Sequence, residues 1–206
     1  MLSAFALFSA ANALWAFEQP DPGSSAAELV DFYTELSSRI VIGGLGSLLS
    51  IAVFVFFAGA LRAVLAELEG DELLANAAFG GTFLGLAAGF GAEAVNMAAA
   101  IRAGDGDLTE AVAVALFDIS YVFGSYATGI GFGVAMLAIG AVALRSGALL
   151  PRWLALVTLA TGLAMVTPAA GYVLGEYTVA PCFLLLAVLG VLLLRGSALS
   201  GSRRYG

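Results

Sequence analysis

Six long apolar runs, separated by short polar breaks, constrain this chain more than any other feature of its sequence. A helix that crosses a bilayer needs about 20 mostly apolar residues, and it satisfies its own backbone hydrogen bonds in lipid. The runs therefore predict an all-α fold, a polytopic transmembrane helical bundle forming one domain over residues 1–206. We place the six spans near residues 2–17, 39–65, 73–101, 111–144, 153–174 and 178–194.

The composition supports lipid as the main solvent of this chain. Hydrophobic residues make up 61% of it, charged residues 11%, and the mean hydropathy is +1.01. Soluble domains carry about 25% charged residues, so this sequence has too little polar surface to cover a water-soluble globule. We therefore expect membrane lipids as partners, with a second copy of the chain or another membrane protein as alternatives.

The residue types that are missing exclude several kinds of chemistry. The chain has no histidine and no lysine, its eight cations are all arginine, and Cys182 is its only cysteine. These absences remove Schiff-base chemistry on lysine, metal or haem ligation by histidine, and any intrachain disulfide. With a net charge of −7 there is no basic footprint for nucleic acid. We expect no cofactor and no metal site.

The arginines predict the orientation of the bundle. With six spans, two arginines, Arg39 and Arg102, fall on one side of the membrane and most acidic residues fall with them. Arginine accumulates on the cytoplasmic side of membrane proteins, so both termini are predicted to be cytoplasmic. Arginine in place of lysine, with much Ala, Gly and Val, indicates a GC-rich prokaryote and its cytoplasmic (inner) membrane. The other side carries Arg62, Arg145, Arg152, Arg195, Arg203 and Arg204.

The first outer loop contains a short amphipathic pattern near residues 25–37. Ser25 and Glu28 have the spacing of a capping box, in which each satisfies a free amide at the start of a helix. Four apolar residues then follow at the i, i+3, i+4, i+7 spacing of one helical face. The pattern predicts a short helix on the outer membrane surface or across the bundle mouth. Its apolar residues are Leu29, Phe32, Tyr33 and Leu36.

Two acidic residues, Glu93 and Asp118, lie inside the third and fourth apolar runs. An ionised acid at mid-membrane costs about 2.5–3.5 kcal/mol on insertion scales, so such residues face protein or water. At about 1.5 Å per residue, both lie at a similar depth below the outer boundary. With Asn96 and Tyr121 they predict one buried polar cluster that binds a proton or a cation. The alternative is that these acids fix helix register through hydrogen bonds.

Small residues form two ridges that predict close helix contacts. In the third run Gly81, Gly85 and Gly89 recur every four residues, and small residues let membrane helices approach closely. In the fourth run a second ridge aligns with Asp118 at about 100° per residue. We expect the two ridges to face each other or a shared neighbour. The second ridge consists of Ser125, Gly129 and Gly133.

One loop resembles a known group of proteins. The segment 145–154, Arg-Ser-Gly-Ala-Leu-Leu-Pro-Arg-Trp-Leu, precedes a glycine-containing apolar helix. It is similar to a recurrent segment of domain-of-unknown-function families of small actinobacterial integral membrane proteins. The six-span layout with a longer first outer loop is similar too. The resemblance implies a six-helix bacterial inner-membrane protein and supplies no catalytic residues.

Three functions remain open from the sequence. The first is a non-catalytic accessory or interaction subunit, whose glycine ridges and outer helix pack on a partner. The second is a transporter or sensor that binds a proton, a cation or a small amphiphile through Glu93 and Asp118. The third, an intramembrane enzyme, would need carboxylate, tyrosine or serine chemistry, and no nucleophile motif is present.

Overall fold

A computed structural model describes residues 10–167, together with Leu185, Val188 and Gly190, and in that part of the chain the fold is all-α. Its helices are α1 (Ala26–Glu35), α2 (Ser37–Glu69), α3 (Leu73–Gly104), α4 (Glu110–Ser146) and α5 (Arg152–Val166).

Three of these helices, α2, α3 and α4, are long and apolar enough to cross a membrane, and α5 is a shorter apolar helix. They lie where the sequence places the second to fifth spans, each starting or ending within a few residues of the predicted bounds. The fifth predicted span extends beyond the described part at residue 168. The sixth, 178–194, lies outside it except for three residues.

The turn between α2 and α3 shows why the two helices run antiparallel. Gly70 ends α2 in the left-handed region, at φ 90°, which a residue without Cβ adopts at no steric cost. Both carboxylate oxygens of Glu69 then accept hydrogen bonds from the backbone amides of Leu74 and Ala75, each at 2.8 Å. These amides have no partner within the helix, so Glu69 caps α3. Arg62 bridges the same turn through Glu72 at 2.7 Å.

Helix α1 covers one end of the bundle. Ser25 Oγ accepts a hydrogen bond from the Glu28 amide at 3.3 Å, the N-terminal half of the expected capping box. All four residues of its apolar face are buried, whereas Glu28, Asp31 and Glu35 are exposed. The apolar face packs with the near ends of α2, α3 and α4. The shared core at this end of the bundle is Trp15, Leu29, Phe32, Tyr33, Leu36, Ile40, Ala99, Ala100, Ala103, Ala113 and Phe117.

The N-terminal segment departs from the predicted span 2–17. In the described part it is helical only over residues 10–12, then turns and forms a 3₁₀ turn at Ala16–Glu18. A tryptophan near the end of a spanning helix is typical of an interface anchor, but the side chain of Trp15 is buried, with 5% exposed. A Cβ at Gly43 would lie 2.9 Å from the indole nitrogen, so the missing side chain leaves the groove that Trp15 fills. The indole fills this groove on α2 at the point where the N-terminal segment turns.

Helices α3 and α4 cross in backbone contact. An ideal Cβ at Gly81 would lie 2.7 Å from the Gly131 carbonyl oxygen, and one at Gly85 would lie 3.0 Å from the Phe132 ring. Gly89 contacts Thr128 more loosely, at 3.7 Å. The glycine ridge of the third run is therefore a helix contact, and its partner face on α4 is centred on Gly131.

The second small-residue ridge does not face the first. A Cβ at Gly133 would meet Met165 at 2.9 Å and the Gly162 carbonyl at 3.0 Å, both on α5, and Gly129 also borders Met165. Ser125 alone of this ridge turns towards α3, where it lines the cavity described below. The expectation that the two ridges face each other is therefore wrong for Gly129 and Gly133.

A π-helical segment, Val122–Ala127, explains that error. The extra residue in its turn shifts the face of α4 by roughly 100° relative to a regular α-helix. The Thr128 backbone amide donates to the Phe123 carbonyl, five residues back, and the Thr128 hydroxyl donates to the same oxygen at 2.9 Å. The buried stripe accordingly steps from Ser120 to Ser125, whereas a regular helix would bring residue 124 into that place.

Candidate functional site: a polar cavity beside Glu93

A cavity of about 190 Å³ lies between the N-terminal segment, α2, α3 and α4. The Gly85–Phe132 crossing bounds it on one side and Gln19 on another. Its wall mixes small and aromatic residues with eight polar side chains, and Glu93 is the one that can carry a charge at neutral pH. The polar side chains are Asn12, Gln19, Glu93, Asn96, Ser120, Tyr121, Ser125 and Thr128.

Glu93 occupies the protein interior, about 11 residues or 16 Å from the Gly104 end of α3. The residue is only 7% exposed. Ser47 on α2 lies beside the carboxyl within hydrogen-bonding reach. The Ser47 oxygen itself accepts from Asn12 Nδ2 at 2.9 Å, which leaves its O–H free to donate to Glu93. This arrangement links the N-terminal segment to the acid through one serine.

Asn96 lies one turn from Glu93 on α3 and is held by a hydrogen bond from α1. Its Oδ1 accepts a hydrogen bond from the Tyr33 hydroxyl of α1 at 2.9 Å, and Ser120 is a second polar neighbour of that hydroxyl. Tyr33 is fully buried, and this burial raises the pKa of the phenol from 10.0 to about 12. Helix α1 therefore fixes the Asn96 amide at the cavity, and the raised pKa keeps the Tyr33 hydroxyl protonated as the donor.

The cavity wall leaves two buried polar atoms unsatisfied. In residues 10–167, Glu93 Oε2 and Trp15 Nε1 have no hydrogen-bond partner, and both residues line the cavity. A buried polar group without a partner costs about 1–3 kcal/mol, and a charged one costs more. Native proteins satisfy nearly all such groups, so two exceptions in one wall indicate a place where a ligand, water or proton belongs.

Asp118 does not join this site. It is exposed on α4 and is absent from the cavity wall, although Tyr121 and Ser125 nearby are part of it. The predicted alignment of Asp118 with Ser125 crosses the π-helical segment, which separates their faces. The structure thus brings together Glu93, Asn96 and Tyr121 from the predicted cluster. Among the residues that the structure describes, no second carboxyl lines the cavity beside Glu93.

Sequence reasoning missed the α2 side of the site. Gly44 allows Met97 and Glu93 to approach α2, since a Cβ there would lie 2.5 Å from Met97 Cγ and 3.6 Å from Glu93 Oε2. The pattern Gly43-Gly44-Leu45-Gly46 followed by Ser47 was the available signal. Small residues with one hydroxyl inside an apolar run mark a face that contacts other helices.

Two of the four hydroxyls in the described wall are bonded to their own helix. Ser120 Oγ donates to the Phe117 carbonyl at 2.8 Å, and Thr128 Oγ1 is likewise bonded to its own helix. Activation of a hydroxyl normally needs a neighbouring base, and since the chain has no histidine or lysine, Glu93 is the side chain of the described wall that could serve as one. The wall is suited to binding, because a carboxyl, three carboxamides and four hydroxyls surround an otherwise apolar space.

The fold and this site define the class of the protein: a helical membrane protein, by the length and composition of three helices, with a polar cavity inside its bundle. Compared with protein-family models, curated proteins and solved structures, the chain matches none.

Proposed function

We propose that this chain is a six-span protein of a prokaryotic cytoplasmic membrane that binds a proton or a small cation in the Glu93 cavity, as a transporter or a sensor. The observation that carries the proposal is a nearly fully buried carboxyl, with one oxygen unsatisfied, in the wall of a polar cavity. Intramembrane acids that face protein or water are commonly functional. The resemblance of residues 145–154 to small actinobacterial membrane proteins agrees with this location.

The charges at the two ends of the described bundle support both termini being cytoplasmic. Two arginines lie at the end covered by α1, together with the exposed acids of α1: Arg39, which pairs with Glu18 at 3.0 Å, and Arg102 in the last turn of α3. Arg62, Arg145 and Arg152 lie near the turns at the opposite end. By the positive-inside rule, the α1 end faces outwards.

Cysteine labelling tests this orientation. In a Cys182→Ala background, a cysteine at exposed Ala27 should react in intact cells with a reagent that does not cross the membrane. A cysteine at exposed Ala148, on the other side, should react only after the cells are opened. Labelling of position 148 but not of position 27 in intact cells would show the opposite orientation, with the α1 end in the cytoplasm.

The reaction of a thiol in the cavity wall with charged reagents tests the proposed cation binding. In the same background, Ser125→Cys places a thiol in the cavity wall. At alkaline pH, where a carboxyl is most fully ionised, a cationic thiol reagent should react about tenfold faster than its anionic counterpart. One charge at close range supplies roughly the 1.4 kcal/mol that this ratio needs. Glu93→Gln should remove most of the preference.

Two controls separate the cavity from the general acidity of the surface. Asp118→Asn removes a charge outside the cavity, so it should leave the preference at position 125 intact. A cysteine at Ala27, among the acids of α1, should keep its own preference when Glu93 is replaced. If folded Ser125→Cys protein reacts with neither reagent, the cavity is closed to solvent, and an accessory subunit becomes the better explanation.

A further inference from the structure

If the cavity binds a cation, as proposed above, the residues of its wall narrow the chemical class of that cation. We propose that the cavity takes a small organic ammonium ion, a primary amine with a short apolar tail, in preference to a metal ion. The Glu93 carboxyl would receive the ammonium group, and the aromatic and small residues of the wall would enclose the tail.

The donor set does not suit a metal ion. Calcium takes 6–8 oxygen ligands and magnesium six, with carboxylates as the main protein ligands. The cavity offers one carboxyl, and in the described part of the chain no group of three or more Asp, Glu, Cys or His could hold a metal. An ammonium group needs only three acceptors for its three N–H donors. Glu93 Oε2, with no partner in the described residues, is one, and the wall amides and hydroxyls can complete the set.

The apolar residues of the wall indicate that the ammonium ligand carries an apolar tail. Trp15, Tyr121 and Phe132 bring three aromatic rings to the cavity, and Ile51, Leu86 and Ala92 add aliphatic surface. Aromatic faces attract organic cations, and tryptophan does so best. Bare inorganic ions gain nothing from the aliphatic surface, whereas each methylene of an amine that becomes buried strengthens binding about three- to fourfold.

The volume sets the size of the ligand. An apolar cavity of about 150 Å³ accommodates benzene, which has six heavy atoms. The 190 Å³ of this cavity should accordingly hold roughly six to eight heavy atoms. Affinity along a series of linear alkylammonium ions should therefore rise with length and then stop rising, whereas simple partition into the bilayer would continue to increase.

Trp15 supplies a built-in reporter of binding. The chain has two tryptophans, and Trp153 is 66% exposed, so Trp153→Phe leaves the cavity indole as the only one. In phosphatidylcholine nanodiscs, butylammonium chloride should change Trp15 emission in a saturable way, and neither butanol nor sodium chloride at the same concentration should do so. Glu93→Gln should weaken butylammonium binding at least tenfold, whereas Asp118→Asn should leave it unchanged.

A second measurement needs no change at Glu93. Butylammonium should slow the labelling of Ser125→Cys by the cationic thiol reagent, and butanol should not. Equal effects of butanol and butylammonium, or saturable binding of sodium in place of the amine, would overturn the ammonium proposal. If labelling at position 125 still depends on Glu93 in that case, the cation-binding function stands. If that dependence is absent as well, both proposals fail.

Discussion

Replacing Gly131 by alanine is expected to destabilise the folded bundle by about 2 kcal/mol or more. A Cβ at this position would lie 2.6 Å from Gly85 Cα, closer still to the Gly85 nitrogen, and 2.9 Å from the Gly81 carbonyl oxygen. These are backbone atoms, so no side-chain rotation relieves the overlap and α3 must move away from α4. Overpacking of this kind costs about 1–3 kcal/mol, and loosening the whole crossing adds to it. Thermal unfolding in detergent measures the effect.

Gly80→Ala is the matched control for that change. Gly80 precedes Gly81 on the same helix, is exposed, and has nothing within 4 Å of an added Cβ. Alanine there should leave stability unchanged or raise it by up to about 1 kcal/mol, because alanine is the better helix former. If the two variants melt at the same temperature, the α3–α4 crossing is not in backbone contact.

Tyr33→Phe should destabilise the protein at neutral pH and change how its stability responds to alkali. The substitution removes the donor to Asn96 Oδ1 and leaves a buried acceptor unsatisfied, at a cost of about 1–3 kcal/mol. Because Asn96 also lines the cavity, loss of this bond should weaken any ligand that depends on the position of its amide. Thermal unfolding as a function of pH is the measurement.

The sign of the pH effect follows from the pKa of Tyr33, which is raised from 10.0 to about 12 by burial. Between these two values the unfolded chain loses the phenol proton while the folded chain keeps it. A contribution of about 3 kcal/mol is therefore complete below pH 10 and is lost as the pH rises towards 12. The Tyr33→Phe variant should not show this loss of unfolding free energy between pH 10 and 12, whereas the Tyr126→Phe variant should still show it. Parallel curves for wild type and Tyr33→Phe would contradict the buried position of the phenol.

The sequence was sufficient for features that depend on local pattern. Apolar runs of spanning length predicted the helices α2, α3 and α4, because a helix in lipid needs only its own residues to satisfy its backbone. The short helix α1 was predictable for a similar reason, since its cap at Ser25 and its apolar face lie within one stretch of chain. The glycine ridge of α3 was also visible, because small residues at a spacing of four share one face.

Only the tertiary structure decided which faces meet. The π-helical segment Val122–Ala127 rotates the second half of α4, so that Ser125 reaches the cavity while Asp118 remains outside it. No local pattern in the sequence marked that extra residue. Faces of α4 assigned at 100° per residue were therefore wrong for the residues beyond the π-helical segment. Likewise Trp15 is buried because Gly43, 28 residues further along, leaves it a groove. Glu93, Asn96 and Tyr121 were visible in the sequence as candidate site residues. Ser47 and the N-terminal wall of the cavity were not, because they reach the site through contacts between distant segments.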